Sequence, residues 1–394
     1  MIDSSETLPL ACTIMRGGTS RAIFFRAENL PSSRPDIEKI LRNVLGSPDA
    51  RQTNGLGGAT PQTSKVAIIS KSEREDADVD YLFAQVDITS ELIDWGGNCG
   101  NISSAVGPFS INEGLVKAHT DGSITPVRIN NVNTGKIIVA QVPVYGGRAA
   151  VEGTTYIAGL ANPGARIDLD FLSPTGAVSG RVLPTGNLQD DMTLTDGRHI
   201  RVSVVDAANP TVFVRAHDIN MTGTELPAEI ESRPDILKVV EEIRGQVAVW
   251  LGLTMSSDRA STETPGLPKI GFISAATDYT MSSGGKISKG EIDLTVRMFS
   301  IRSPHKACQI TAGIATGVAS LLPGTVVAEM MTLKASSTGS TEVRLGHPSG
   351  IMQTVVHHIN GQPDQVSKVS VVRTARAIMD GFVHVPKQLL EGLT

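Results

Sequence analysis

Short apolar segments dominate the chain, and most of them have the composition of β-strands. They are rich in Val, Ile and aromatic residues and are bounded by Gly, Pro, Asn or Asp, a pattern typical of strands that end in turns. The most distinct segments predict strands at residues 65–70, 80–88, 136–144, 200–207 and 210–219.

Helical periodicity is confined to four segments of two kinds. Asp36–Leu45 and Pro234–Leu251 repeat apolar residues at helical spacing, which predicts amphipathic helices on the surface or between strands. Asn101–Leu115 and Thr311–Leu322 are instead apolar on most sides and full of Gly, Ala and Ser. Because a helix that is apolar all round is usually buried, we predict that strands surround these two helices.

The two predicted buried helices lie 210 residues apart, and each follows strand-like sequence. This arrangement predicts an α+β protein with two similar halves. A Pro/Gly turn at 183–187 (LPTGN) marks the joint, so the predicted domains are 1–185 and 186–380. A last predicted strand at 381–386 can return to the first half of the chain. Residues 381–394 are therefore a candidate for completing the first domain.

Composition and charge narrow the possible functions. The chain has 394 residues, a net charge of −5 and no run of Lys or Arg longer than two, so we expect neither nucleic acid nor an anionic membrane as a partner. The N-terminus is acidic before it is apolar, and no apolar run reaches 18 residues, so neither a signal peptide nor a membrane span is expected. Three widely spaced cysteines indicate a reducing cytoplasm rather than disulfides.

A Gly-rich turn, 96–101 (GGNCGN), precedes the first predicted buried helix. Glycines let a ligand approach the backbone, and a helix N-terminus presents unpaired N–H groups and a positive dipole that attract a carboxylate. The same dipole favours a thiolate, so Cys99 is a candidate for proton transfer. A cysteine beside an apolar helix is often merely buried, but the Gly-Asn pairs on both sides of Cys99 favour the functional interpretation.

A second Gly-rich loop, 55–60, precedes Lys65 at the start of a predicted strand. If Lys65 points into a cleft, desolvation lowers its pKa towards neutrality. From the residues alone, a surface lysine is the more common outcome. The loop does not match a phosphate-binding P-loop, because Lys65 lies seven residues after Gly58 and no Ser or Thr follows it.

Two further turns hold polar residues that could bind a carboxylate. Arg16 and Ser20 belong to the segment MRGGTS, and His347 and Ser349 belong to RLGHPSG. Each turn could also be a simple hairpin or loop. The histidines lack the spacing of a zinc site, and no GxSxG motif is present, so we expect neither a metal site nor a serine hydrolase.

Taken in order, these segments resemble the 2-methylaconitate cis-trans isomerase (PrpF) family, and within it most closely the 3-methylitaconate delta-isomerases. The similarity extends over about residues 12–385. The segments that carry it are MRGGTS, GLGGATPQTSKVAIIS, DWGGNCGN, NTGK, LPTGN, NPTVFV, MTGTE, PGT, GHPSG and RTAR. Such an ordered series is far more specific than any single motif.

The resemblance implies a diaminopimelate-epimerase-like fold: two pseudo-symmetric domains, each with a curled β-sheet around a central helix, and an active site between them. It implies catalysis without metal or organic cofactor, with Lys65 and Cys99 as catalytic residues and Ser20 as a substrate-binding residue. Amino-acid epimerases of this fold use a cysteine at the start of each central helix. Here Cys308 lies three residues before Thr311, which disfavours a two-thiol racemase.

We therefore predict an isomerase of small unsaturated di- and tricarboxylates that moves a C=C bond by a 1,3-allylic proton shift, on a methylitaconate- or dimethylmaleate-type substrate. One of Lys65 and Cys99 would remove the proton and the other could return one, in an order that the sequence leaves open. The alternatives are 2-methylaconitate or aconitate isomerisation, 4-oxalomesaconate tautomerisation, and a non-catalytic carboxylate-binding accessory protein. The formation of a homo-oligomer is also an open alternative. The expected substrate-binding residues are Arg16 (or Arg344), Ser20, Ser64, Asn98, Gly100, Asn101, Thr311, His347 and Ser349.

Overall fold

The computed structural model describes residues 6–120, 122–301, 303–331, 339–359 and 362–389, so residues 390–394 of the candidate completion lie outside the described chain. Its first half contains the helices α1 (Arg34–Leu45) and α2 (Gly100–Asn112). The strands of this half are β1 (Thr7–Gly17), β2 (Ser20–Arg26), β3 (Lys65–Lys71), β4 (Val79–Val86), β5 (Ile93–Asp94), β6 (Ile124–Asn131), β7 (Lys136–Tyr145), β8 (Arg148–Ala149) and β9 (Ile167–Leu172).

The second half contains more helical sequence. Its helices are α3 (Pro227–Glu231), α4 (Pro234–Trp250), α5 (Ala260–Glu263), α6 (Ile310–Ser320) and α7 (Val326–Met330). Its strands are β10 (Asp190–Thr193), β11 (His199–Ala207), β12 (Asn209–Arg215), β13 (Lys269–Ala275), β14 (Tyr279–Thr280), β15 (Lys286–Ile287), β16 (Leu294–Ser300), β17 (Ser303–Pro304), β18 (Ser340–His347), β19 (Gly350–Ile359), β20 (Gln362–Arg373) and β21 (Ala375–Pro386).

The two halves follow the same path. In the first, β1 pairs antiparallel with β2, β2 parallel with β3, β3 antiparallel with β4, and β4 parallel with β6, before β7 and β9 continue the sheet. In the second, β11, β12, β13, β16, β18, β19 and β20 repeat these pairings in order. The predicted α+β fold with two pseudo-symmetric halves is confirmed.

Each half wraps its sheet around one helix, as predicted. The segments Gly100–Ile111 of α2 and Ile310–Ala319 of α6 are buried without interruption. Their small residues are needed for close packing, since a Cβ on Gly107 would lie 2.7 Å from Val142 and one on Gly317 would lie 2.9 Å from Thr354. Apolar residues around both helices form one continuous core.

Several predicted bounds are wrong. The strand predicted at 80–88 ends at Val86, and the helix predicted to end at Leu322 ends at Ser320.

Two other predicted bounds fail where the backbone turns into the left-handed region. Helix α2 ends at Asn112 rather than Leu115, because Gly114 adopts a φ of 71° and closes the helix. The strand predicted at 210–219 is wrong beyond Arg215: Ala216–Ile219 form a 3₁₀ turn that ends at Asn220, where φ is 58°.

Two strand pairings join the halves. β9 pairs with β20, and β21 runs antiparallel to β1 along its full length. The last strand therefore adds to the first half, although the division at residues 185 and 186 stays a prediction. Within the described residues, no helix has the length and apolar character needed to cross a membrane.

Candidate active site

A cleft lies where the N-termini of α2 and α6 meet. The two helices approach so closely that a Cβ on Gly100 would lie 2.7 Å from the Cβ of Ile310, so only glycine fits at that position. Seven of the residues predicted to form the site line this cleft: Ser20, Lys65, Asn98, Cys99, Gly100, Asn101 and Thr311.

Cys99 is the N-cap residue of α2 and is partly exposed to the cleft. Its carbonyl accepts the first helical hydrogen bond, from the N–H of Ser103 at 2.9 Å. The first N–H groups of a helix have no partner within the helix, so the thiol stands beside a set of amide donors and the positive end of the dipole. This environment suits a carboxylate ligand.

Lys65 opens β3 and is buried, with 7% of its surface exposed, so the alternative of a surface lysine is wrong. Its Nζ donates to Oε1 of Gln85 and lies 5.3 Å from the centre of the Phe83 ring. Burial lowers the pKa of Lys65, while the nearby charges of Cys99 and Asp94 act in the opposite direction. The side chain is thus held in place and favoured as a proton acceptor.

A second lysine, Lys269, lines the same cleft and was missed from the sequence. It opens β13, the counterpart of β3 in the second half. Desolvation and the charge of Lys65 lower the pKa of Lys269 to about 8. The signal was present in the chain, because KVAIIS at 65–70 and KIGFIS at 269–274 are similar segments.

His305 and Gln309 add two polar groups to the second side of the cleft. Nδ1 of His305 accepts the N–H of Ala307 at 3.0 Å, and burial lowers the pKa of His305 to about 4, so the ring is neutral and its Nε2 carries a proton that can be donated. Gln309 is the N-cap residue of α6. Its Nε2 donates to the carbonyl of Phe299, and its buried Oε1 has no partner among the described residues.

Asn209 links the N-termini of α2 and α6 through its side chain. In the sequence it is only part of the segment NPTVFV, and no role is predicted for it. Nδ2 of Asn209 donates to the carbonyl of Asn98 at 3.1 Å and to Oγ1 of Thr311 at 3.2 Å, and its Oδ1 accepts the N–H of Asn98. The side chain is fully buried. It therefore fixes the distance between the two halves of the cleft.

Four residues predicted to bind substrate lie outside the lining of this cleft. Arg16 donates to the carbonyls of Gly18 and Thr374 and braces the turn between β1 and β2. The hydroxyl of Ser64 donates to Gln52 at 2.8 Å, and that of Ser349 donates to the carbonyl of Lys306. His347 lines a different cavity. Arg344, the alternative to Arg16, forms an ion pair with Asp293.

The cleft is built to hold anions. Lys65 and Lys269 face one carboxylate, Asp94, and two helix N-termini add amide donors. Among the described residues, no group of three or more His, Cys, Asp or Glu side chains could hold a metal ion. The thiol of Cys99 and the two lysines can exchange protons, so the geometry suits proton transfer on a bound carboxylate.

Comparison with known proteins finds relatives that match the chain over nearly its full length. The chain is 43% identical over 388 residues to the 3-methylitaconate isomerase of Eubacterium barkeri, covering 98% of this chain and all of that protein. It is 38% identical to the 2-methyl-aconitate isomerase of Cupriavidus necator, covering 96% and 98%.

Solved structures agree in fold. A crystal structure of methylitaconate-delta-isomerase superposes with a TM-score of 0.79 at 43% identity, covering 98% of both chains. A probable proline racemase from Agrobacterium radiobacter shares only the fold, with a TM-score of 0.54 at 11% identity, covering 97% of this chain and 94% of that one. Since the PrpF protein family model matches residues 8–386, the chain belongs to the PrpF family.

Proposed function

We propose that this protein is an isomerase of small unsaturated di- and tricarboxylates that moves a C=C bond by a 1,3-allylic proton shift. The observation that carries the proposal is the meeting of Lys65 and Cys99 in one cleft at the N-terminus of α2. Proton donors and acceptors next to carboxylate-binding groups are what this reaction requires.

The reaction moves one proton and no net electrons. A C–H bond at the allylic carbon breaks, its proton passes to the base, and its electron pair spreads through the alkene to a carboxylate. The resulting dienolate takes a proton two carbons away, and the double bond moves. One of Lys65 and Cys99 removes the proton, and the other can return one.

The extra negative charge of the dienolate is the main energetic obstacle, and preorganised donors can stabilise it. The first residues of α2 and α6 line the cleft and supply amide donors, and Lys269 adds a positive charge at neutral pH because its pKa is about 8. The neutral ring of His305 adds an Nε2–H donor. These groups hold the substrate carboxylates while Lys65 and Cys99 exchange the proton.

We take a methylitaconate- or dimethylmaleate-type acid as the first candidate substrate, because the relative at 43% identity is named a 3-methylitaconate isomerase. The relative named a 2-methyl-aconitate isomerase, and another named a 4-oxalomesaconate tautomerase at 36% identity, keep those acids and aconitate as alternatives. We further propose that the protein works in the cytoplasm without metal or organic cofactor. Its three cysteines are free thiols, as a reducing compartment requires.

A panel of these acids tests the proposal, with turnover followed by the ultraviolet absorbance of the conjugated alkene. We expect one acid to react, and the same reaction in D2O to place deuterium at the new allylic position. Turnover without exchange would contradict a shift in which one group removes the proton and another returns one. Tight binding across the panel without turnover would instead identify a carboxylate-binding accessory protein.

A further inference from the structure

A second cavity of about 210 Å³ lies beside the cleft. Its lining includes Thr19, Cys308, His347, Met352, Gln353 and Arg373, and it shares no residue with the lining of the cleft. The proposed reaction uses none of these side chains, so the cavity needs its own explanation.

Arg373 brings a positive charge to this cavity. Only 7% of the residue is exposed, and its guanidinium donates to the carbonyl of Val372 at 2.7 Å, to Sδ of Met352 at 2.8 Å and to Oδ1 of Asn101 at 3.3 Å. A guanidinium has five N–H donors, so two remain after these three bonds. No carboxylate of the described residues forms an ion pair with Arg373.

Two other buried arginines of the described residues are neutralised by carboxylates. Arg215 forms ion pairs with Asp218 and Glu329, and Arg244 forms one with Glu241. An unpaired buried charge destabilises a protein by several kcal/mol in general.

A third buried arginine, Arg297, also lacks an ion pair among the described residues, but its guanidinium donates to three backbone carbonyls and lies 4.9 Å from the centre of the Tyr279 ring. Arg373 instead adjoins an open cavity, so its charge is best explained if an anion enters that cavity.

His347 adds a neutral donor to the same lining. Its Nδ1 accepts the N–H of Ser349 at 3.2 Å, so the ring proton is on Nε2. Burial and the charge of Arg373 lower the pKa of His347 to about 3, which keeps the ring neutral. Arg373 and His347 thus offer N–H donors to this space, and donors of this kind select an oxyanion.

The cavity is linked to the cleft through one side chain. Oδ1 of Asn101 accepts from Arg373, and its Nδ2 donates to Oγ1 of Thr19 at 3.2 Å. Asn101 also lines the cleft, two residues after Cys99. The link is tightly packed, because a Cβ on Gly18 would lie 2.1 Å from Oδ1 of Asn101.

We propose that this cavity is a second anion-binding site, which takes a small carboxylate or phosphate on Arg373 and His347 and is linked to the cleft through Asn101. A carboxylate matches the planar fork of the guanidinium, and phosphate offers the same pair of oxygens. The site is separate from the substrate site, so it can be occupied whether or not the cleft binds the proposed substrates.

Isothermal titration of the full chain with propane-1,2,3-tricarboxylate, which has no double bond to move, and separately with inorganic phosphate tests this proposal. We expect one binding event to be weakened at least ~10-fold by Arg373→Gln, since hydrogen bonds to charged groups are worth this much. The same event should persist in Lys269→Met, which removes a charge from the cleft instead. Whichever of the tricarboxylate and phosphate binds more tightly in this event identifies the class of anion that the site takes.

A second variant guards against misfolding of Arg373→Gln. Gln353 is an exposed residue of the lining, so Gln353→Glu should keep the fold and weaken the same event by placing a carboxylate beside Arg373. Gln365→Glu makes the same change at an exposed position eight residues from Arg373 on β20 and should have no effect. Binding of both anions unchanged in Gln353→Glu and in folded Arg373→Gln would overturn the proposal. Loss of the event in Lys269→Met alone would do the same, because it would place the only bound anion in the cleft.

Discussion

The two halves of the molecule repeat one structure but differ at the point where they meet. Lys65 and Lys269 open equivalent strands, so each half contributes one lysine to the cleft. At the start of the central helices the equivalence ends: the N-cap residue is Cys99 in the first half and Gln309 in the second. Both halves therefore contribute a lysine to the cleft, whereas only the first half contributes a thiol at the start of its central helix.

This difference separates binding from chemistry. Cys308, the thiol of the second half, precedes the N-cap residue of α6 and is buried, and burial raises its pKa to about 12. It therefore stays protonated at neutral pH. A reaction that needs a thiol on each face of the substrate does not fit this arrangement, whereas a proton shift served by one thiol and one lysine does.

Removing either proton-transfer group of the first half should have the largest effect. Cys99→Ala and Lys65→Ala should each lower kcat at least ~100-fold, which is the usual contribution of general acid-base catalysis. Steady-state kinetics on the active acid of the panel measure the effect. The matched controls are Cys12→Ala and Lys71→Ala, which change a buried thiol and an exposed lysine outside the cleft. Near-normal activity of a folded Cys99 or Lys65 variant would remove that residue from the mechanism.

Disturbing the contact between the halves should come next. Gly100→Ala places a methyl group 2.7 Å from Ile310, and such overpacking lowers the free energy of unfolding by about 1–3 kcal/mol. Gly290→Ala is the control, because the nearest atom to its Cβ would be Oγ of Ser288 at 3.9 Å. Urea unfolding followed by circular dichroism compares the two. Equal stabilities would show that the helix N-termini can separate freely.

Removing the lysine of the second half should mainly weaken binding. Lys269→Met should lower kcat/KM ~10-fold, chiefly through KM, because it removes a charged donor for a substrate carboxylate. Lys269→Arg keeps the charge and should recover most of the affinity. A fall in kcat with unchanged KM would instead make Lys269 a proton-transfer residue, equivalent to Lys65.

The pH dependence of kcat/KM should also test whether Lys269 binds a carboxylate, and we expect this effect to be the smallest. Lys269 is protonated below its pKa of about 8 and neutral above it, so carboxylate binding weakens as the pH rises. Between about pH 7 and 9 its charged fraction falls from ~90% to ~10%, and the part of kcat/KM due to Lys269 should fall with it. In Lys269→Arg this decline should disappear, because arginine keeps its charge. An unchanged profile would assign the decline to another group.

Much of the fold could be predicted because its central helices have an unusual sequence. A helix rich in Gly, Ala and Ser with no polar face has few stable locations other than the inside of a curled sheet, so α2 and α6 were found from composition and periodicity. Local bounds were less predictable. The left-handed conformations at Gly114 and Asn220 depend on the packing of each turn, which periodicity does not reveal.

Some residues of the site could be predicted from the sequence and others could not. Cys99 stands in a turn whose flanking glycines and asparagines mark a ligand site, whereas Lys65 gained its role only through the family resemblance, because burial of one lysine cannot be read from its neighbours. Lys269 and Asn209 act through contacts between distant segments. Comparing the two halves of the sequence with each other would have found Lys269.

The pairing of β1 with β21 also bears on how the chain folds. The paired residues are about 360 or more positions apart in sequence, and contacts this remote form slowly because a long loop must close first. During synthesis the first half lacks an edge strand until Ala375–Pro386 have left the ribosome. A fragment that stops at the joint between the halves would expose that unpaired edge, a recognised route to aggregation, whereas a fragment with residues 375–386 fused through a linker would restore it.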